Sequence, residues 1–151
     1  MNISAKSEYA VRALLELAAN DGAPLSAGAL AKGQHLPRKF LEAILVELKR
    51  AGLLASQRGP VGGYRLAKPP EDIAVGAVLR AVDGPLAEVR GLRPHETAYA
   101  GVAEHLPKVW VAVRVALRDV LDQVSIADLL SGHLPEHVES LTREPDAWQN
   151  R

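Results

Sequence analysis

The chain has 151 residues, of which 48% are hydrophobic, 18 are Lys/Arg, 18 are Asp/Glu and none is cysteine. That length and apolar content suffice for one cored domain with an appended element, while the lack of thiols excludes disulfides, thiolate metal sites and cysteine nucleophiles. No stretch is long and apolar enough to span a membrane, and the opening Met1-Asn2-Ile3-Ser4-Ala5-Lys6 lacks an apolar signal core, so the chain reads as cytoplasmic.

The zero net charge conceals a division. Residues 1–68 hold ten Lys/Arg against five Asp/Glu, a net of +5, and residues 69–151 hold eight against thirteen, a net of −5. A basic half joined to an acidic half fits a chain that meets phosphate with one end and keeps itself soluble with the other.

In chain order, Val11, Leu14, Leu15 and Ala18 stand at i, i+3, i+4 and i+7 and predict an amphipathic helix. Ser4 or Ser7 is suited to cap its start, and Asn20-Asp21-Gly22 stops it. Ser26 is the N-cap of a short helix over 27–32, followed by a turn at 33–36. Pro37 opens a third helix over 37–50, where the first turn needs no backbone N–H. Its apolar face is Leu41, Ile44, Leu45 and Leu48, and Arg38, Glu42, Val46 and Lys49 lie opposite, with Lys39 beside them. A short helix, a turn and a second amphipathic helix make a helix-turn-helix.

Two strand-like runs, 53–57 and 64–67, flank the tip Arg58-Gly59-Pro60-Val61-Gly62-Gly63 and predict a β-hairpin. A hairpin directly after a helix-turn-helix is a wing. Val75, Val78, Leu79 and Val82 predict a fourth helix from Asp72 to the Gly84-Pro85 stop. Residues 85–95 read as a linker and 96–104 as a weaker helical piece. A long helix over 107–123 carries Val109, Trp110, Val113, Leu117, Val120, Leu121 and Val124, a stripe wider than its own small domain can cover. That stripe predicts packing against a second copy of the chain. Trp110 and Val113 are also placed to line a pocket for a small apolar effector. Ser125 and Asp128 begin one more short helix, and residues 131–151 are expected to form a mobile tail.

The fold class that follows is mainly α with a small β-wing. Residues 1–84 form a winged helix-turn-helix domain, and residues 85–130 a linker with dimerisation helices. Such a domain presents the N-terminal end of its second helix to base edges in the major groove, and an arginine on a hairpin tip suits a narrow minor groove. The expected partner is therefore double-stranded DNA, bound by a homodimer on a palindromic operator. A winged helix that binds another protein and not DNA is the alternative, and so is a switch that senses a small molecule or metal. No nucleophile elbow, phosphate loop or metal-His pair points to an enzyme.

The segments 58–67, Ile73-Ala74-Val75-Gly76 and Ala81-Val82-Asp83, with Ser4-Ala5-Lys6-Ser7-Glu8-Tyr9-Ala10-Val11 and Phe40-Leu41-Glu42, resemble the IscR/NsrR-type (Rrf-two) family of winged-helix regulators over roughly residues 1–130. The resemblance implies a bacterial repressor or activator that dimerises through its long helix. It implies DNA contacts from Ser4, Lys6, Tyr9, Ser26, Arg38, Lys39, Phe40 and Glu42, and from Arg58, Gly59, Val61, Gly62, Gly63 and Tyr64 of the wing. Its sensor branch holds an iron–sulfur cluster on three cysteines between the fourth helix and the long helix. Here Gly91, Thr97 or Ala98, and Glu104 stand near those positions, and soft cluster iron needs thiolates. A cofactor-free branch is expected. His95, Glu96, Glu104 and His105 in the same segment, and His133 with His137 near the end, are the remaining ligand types for a metal, in no tight ligand spacing.

Overall fold

A computed structural model describes residues 1–150. Helix α1 (Ala5–Ala19) is capped by Ser4, whose Oγ accepts from the Ser7 amide at 2.9 Å. Helix α2 (Ala27–Gln34) is capped by Ser26 in the same way, and α3 (Arg38–Arg50) starts directly after Pro37. Helix α2 runs two residues beyond the expected end. His35 supplies the left-handed cap at φ 54°, so the turn between α2 and α3 shrinks to its last residues.

Strands β1 (Leu54–Gln57) and β2 (Gly63–Leu66) pair antiparallel, with Leu54 opposite Leu66 and Gln57 opposite Gly63. Tyr64 adds a bridge to Leu25, its N–H donating to the Leu25 carbonyl at 2.7 Å and its own carbonyl accepting from Leu25 at 2.9 Å. The wing is thus stitched to the strand-like residue that leads into α2. Helix α4 (Val75–Asp83) follows a short 3-10 turn at Pro70–Asp72 and ends at Gly84, φ 85°. This arrangement is a mainly helical winged helix-turn-helix with a two-stranded wing, as its sequence predicts.

Apolar residues from every one of these elements meet in one core. Leu14 and Leu17 of α1, Leu30 of α2, Leu41, Ile44, Leu45 and Leu48 of α3, and Val78 of α4 are all buried to 2% exposure or less. Each fully buried Leu or Ile contributes roughly 1.5–3 kcal/mol relative to exposure.

Beyond α4 the structure departs from expectation in several places. Residues 96–104 do not form a helical piece. They carry isolated 3-10 turns at Pro94–Glu96 and Gly101–Ala103, because the Thr97 hydroxyl closes a local turn onto the Pro94 carbonyl at 2.7 Å and Gly101 takes φ +62°. Helix α5 (Leu106–Leu121) is the long helix, and not one of its residues is fully buried.

Helix α6 (Ile126–Ser131) has the capping box expected of Ser125 and Asp128. It also returns to the first domain: Ile126 is fully buried in the core, its N–H donates to Ile73, and Val75 donates to Val124. Val124 is consequently 6% exposed within its own chain, which removes it from the expected dimer stripe. The tail expected to be mobile contains helix α7 (Glu136–Arg143), with Val138 buried and Arg143 paired to Glu136 at 2.7 Å. That neighbouring guanidinium holds the Glu136 carboxyl below its ordinary range.

Candidate nucleic-acid interface

The second helix of a helix-turn-helix must bury one face and free the other, and α3 does both. Leu41, Ile44, Leu45 and Leu48 face the core, while Arg38, Lys39, Phe40, Glu42, Val46, Lys49 and Arg50 are exposed. Pro37 leaves the first amides of α3 without a side-chain cap, so the positive end of the helix dipole faces outward. Arg38 and Glu42 form an i,i+4 pair at 3.0 Å across this exposed face. Arg38 also lies against Gly28 of α2, where any side chain would meet its guanidinium at about 3.5 Å.

Residues 58–62 project as the wing tip. Arg58 and Val61 are exposed, Val61 to 77%. Gly59 adopts φ +105° and Gly62 donates to its carbonyl at 3.0 Å, closing the tip. Among the described residues, the side chains of Lys39, Arg50, Arg58 and Arg65 make no hydrogen bond or ion pair. Four cations held out in water by α3 and the wing are available to phosphate.

Other expected contact residues are engaged inside the chain. Lys6 places its ammonium 2.7 Å from Glu47 of α3 and donates to the Val82 carbonyl at 2.7 Å. Ser4 caps α1 and, with Ser7, donates to the Asp83 carboxylate. Ser26 is spent on the Ala29 amide. Tyr9 packs edge-on against Phe40 with ring centroids 5.7 Å apart, and Arg12 stands 5.8 Å from the Tyr9 ring. Tyr64 is half-buried against the core.

Gly62 and Gly63 serve the backbone. A Cβ at Gly62 would fall 2.2 Å from the Gln57 carbonyl oxygen, and one at Gly63, φ +150°, 2.5 Å from that of Leu25. Sequence reasoning picked both glycines for closeness to DNA. The structure gives nearer reasons: Gly62 lets the wing tip close on itself, and Gly63 lets the wing approach the residues before α2.

The metal-ligand candidates do not converge. His95 Nδ1 is 3.0 Å from Arg114, Glu96 accepts from the Arg93 amide at 2.8 Å, and Glu104 lies 3.6 Å from His105. His137 sits on α7 with Nε2 2.8 Å from the Asp119 carbonyl, while His133 precedes that helix. Among the described residues no group of three or more His, Cys, Asp or Glu is placed to hold a metal. Among the described residues no helix is long and apolar enough to cross a membrane.

Of the expected dimer stripe, Val109 is 52% exposed and Val124 is buried in its own chain. Trp110, Val113, Leu117, Val120 and Leu121 are half-covered by their own protomer; Trp110 donates to the Tyr99 hydroxyl at 3.1 Å. The exposed strip of α5 is Val109, Ala112, Val115 and Ala116, which shares Val109 with the stripe the periodicity picks out and otherwise lies to one side of it.

A family profile described as Rrf2, iron-dependent transcriptional regulator, matches residues 3–132. A protein of Mycobacterium tuberculosis named as an HTH-type transcriptional regulator is 44% identical over 99% of this chain and 94% of its own length. The HTH-type transcriptional regulator CymR of Bacillus subtilis is 34% identical over 87% of this chain and 91% of its own. The solved structure of that CymR, described as a global cysteine regulator, superposes with a TM-score of 0.73 at 31% identity, covering 87% of this chain and 98% of that one. The IscR of T. potens superposes with a TM-score of 0.69 at 34% identity, over 87% and 88%.

The iron named in the family description has no fitting seat here. The chain lacks thiolates altogether, Gly91 occupies a turn at φ +78°, and the Thr97 hydroxyl is bonded inward. A cysteine-held cluster does not fit these residues.

Proposed function

Because the chain belongs to the Rrf2 family of transcription regulators, we propose that it acts as a homodimeric repressor on a palindromic operator, reading the major groove with α3 and the minor groove with the wing, without an iron–sulfur cluster. The observation that carries the reading is the set of exposed, unpaired cations on α3 and the wing, Lys39, Arg50, Arg58 and Arg65, in the half of the chain whose net charge is +5. An α-helix fits the major groove, and unpaired guanidinium and ammonium groups gain most by meeting phosphate or guanine edges.

The dimer is supported by α5. A 16-residue helix with four exposed Ala and Val residues on one strip and nothing fully buried leaves apolar surface that a second copy would cover. Two-fold symmetry would then present two α3 helices to half-sites in inverted orientation.

The test uses the genomic fragment of the source organism that the protein binds best. Arg58→Ala is expected to weaken that binding roughly tenfold or more, to lower the salt slope by about one, and to leave the dimer intact. Unchanged affinity in this variant would remove the wing from the interface. Absence of DNA binding at low salt would favour a winged helix that serves a protein partner.

A further inference from the structure

We infer that the cleft between the end of α4, the start of the linker and α5 binds a small organic dianion, a metabolite whose two negative charges lie on phosphate or carboxylate oxygens. The cleft has a volume of about 500 Å³, within the range of small-molecule sites. Four arginines line it, Arg80, Arg93, Arg114 and Arg118, against the single carboxylate of Asp122. Asp122 is already shared: it lies 2.7 Å from Arg80 and 3.4 Å from Arg118.

The other two guanidiniums lack a counter-charge. Arg93 makes no ion pair. Arg114 has only the ring nitrogen of His95 at 3.0 Å, and its Nε is shielded from solvent with no hydrogen-bond partner. The nearby Glu96 carboxylate is turned to the Arg93 amide. A buried donor without an acceptor is costly to a fold, and the exposed Arg93 adds an unbalanced positive charge to the same wall.

A dianion in the cleft would balance the charges of Arg93 and Arg114. Two guanidinium forks match two carboxylates or one phosphate group in bidentate geometry. Pro85 and Leu86 on the rim offer apolar contact for a short carbon skeleton. The charge of the walls therefore calls for an anion here, whereas the sequence directs attention to an apolar effector beside Trp110 and Val113.

The cleft is also one contact chain away from α3. Arg80 and Gly84 flank Val82, whose carbonyl accepts from Lys6, and Lys6 pairs with Glu47.

The experiment is calorimetric titration of the full chain, free of DNA and at fixed ionic strength and mildly alkaline pH, with glycerol 3-phosphate and succinate as dianion probes and acetate as the monoanion control. One saturable site per protomer is expected for glycerol 3-phosphate, succinate or both, at least about tenfold tighter than acetate, and the probe that binds tells phosphate from carboxylate. Arg93→Ala touches an exposed, unpaired side chain and should fold as wild type. It is expected to weaken binding about tenfold, as is Arg114→Lys, which keeps the charge and loses the fork. Arg58→Ala on the wing should leave affinity within about twofold. The inference is overturned by the absence of saturable binding, by undiminished affinity in Arg93→Ala, or by equal loss in Arg58→Ala, which would assign the anion to the DNA-facing surface. Since no DNA is present, failure here leaves the proposed operator binding untouched.

Discussion

Two lysine or arginine side chains of equal charge have opposite fates in this chain. Lys6 is drawn into a pair with Glu47 and a bond to Val82, while Arg58 stands in water without a partner. A substitution at Lys6 should therefore act first on stability and a substitution at Arg58 on DNA affinity alone. Gly63 illustrates the same point for backbone. Gly63→Ala would drive a Cβ to 2.5 Å from the Leu25 carbonyl at a φ that side chains avoid. Thermal unfolding should show a loss of about 1–3 kcal/mol, and an unchanged midpoint would mean that the wing and the residues before α2 shift apart freely. The caps Ser26 and Ser125 were legible in the sequence because their partners lie three residues on, whereas for α1 the sequence left Ser4 and Ser7 open and Ser4 is the cap. The Lys6 contact was not, because its acceptor lies 76 residues away and no local pattern encodes it.

At the scale of elements, α1, α3, α4 and α5 follow from apolar spacing, since each buries or presents one stripe. What periodicity cannot tell is which protomer or segment covers a stripe. It grouped Val124 with the α5 residues, yet the chain turns after Leu121 and Val124 packs inward beside Ile126. It also read α6 as part of the appended element, although Ile126 is fully buried in the core, where α6 packs on α1 and the turn at Pro70–Asp72. Ile126→Ala should cost about 2–5 kcal/mol in chemical denaturation, and a cost near zero would place α6 outside the core. The open strip of α5 carries the dimer prediction. Val115→Glu sets a charge at its centre, and sedimentation should show the dimer shifting to monomer with helical content retained. A variant that stays dimeric would move the interface off that strip. Helix α7 escaped notice because Pro135 and the charged residues around it hide a single apolar anchor, Val138.

For the whole molecule, the decisive quantity is the division of charge. The half with net +5 contains the helix-turn-helix and wing, and the half with net −5 contains α5, α6 and α7. Zero net charge then says little about affinity for DNA, because screening limits each charge to its own neighbourhood within about 10 Å at moderate salt. The arginine cleft runs against that division: it concentrates positive charge in the acidic half, and Asp122 balances only Arg80 and Arg118. The most direct measurement of the central claim is selection of genomic fragments from the source organism by the purified protein, sequenced after binding at two salt concentrations. The account predicts enrichment of one palindromic motif whose occupancy falls steeply as salt rises. No enriched motif at either salt, with the protein folded, would contradict it.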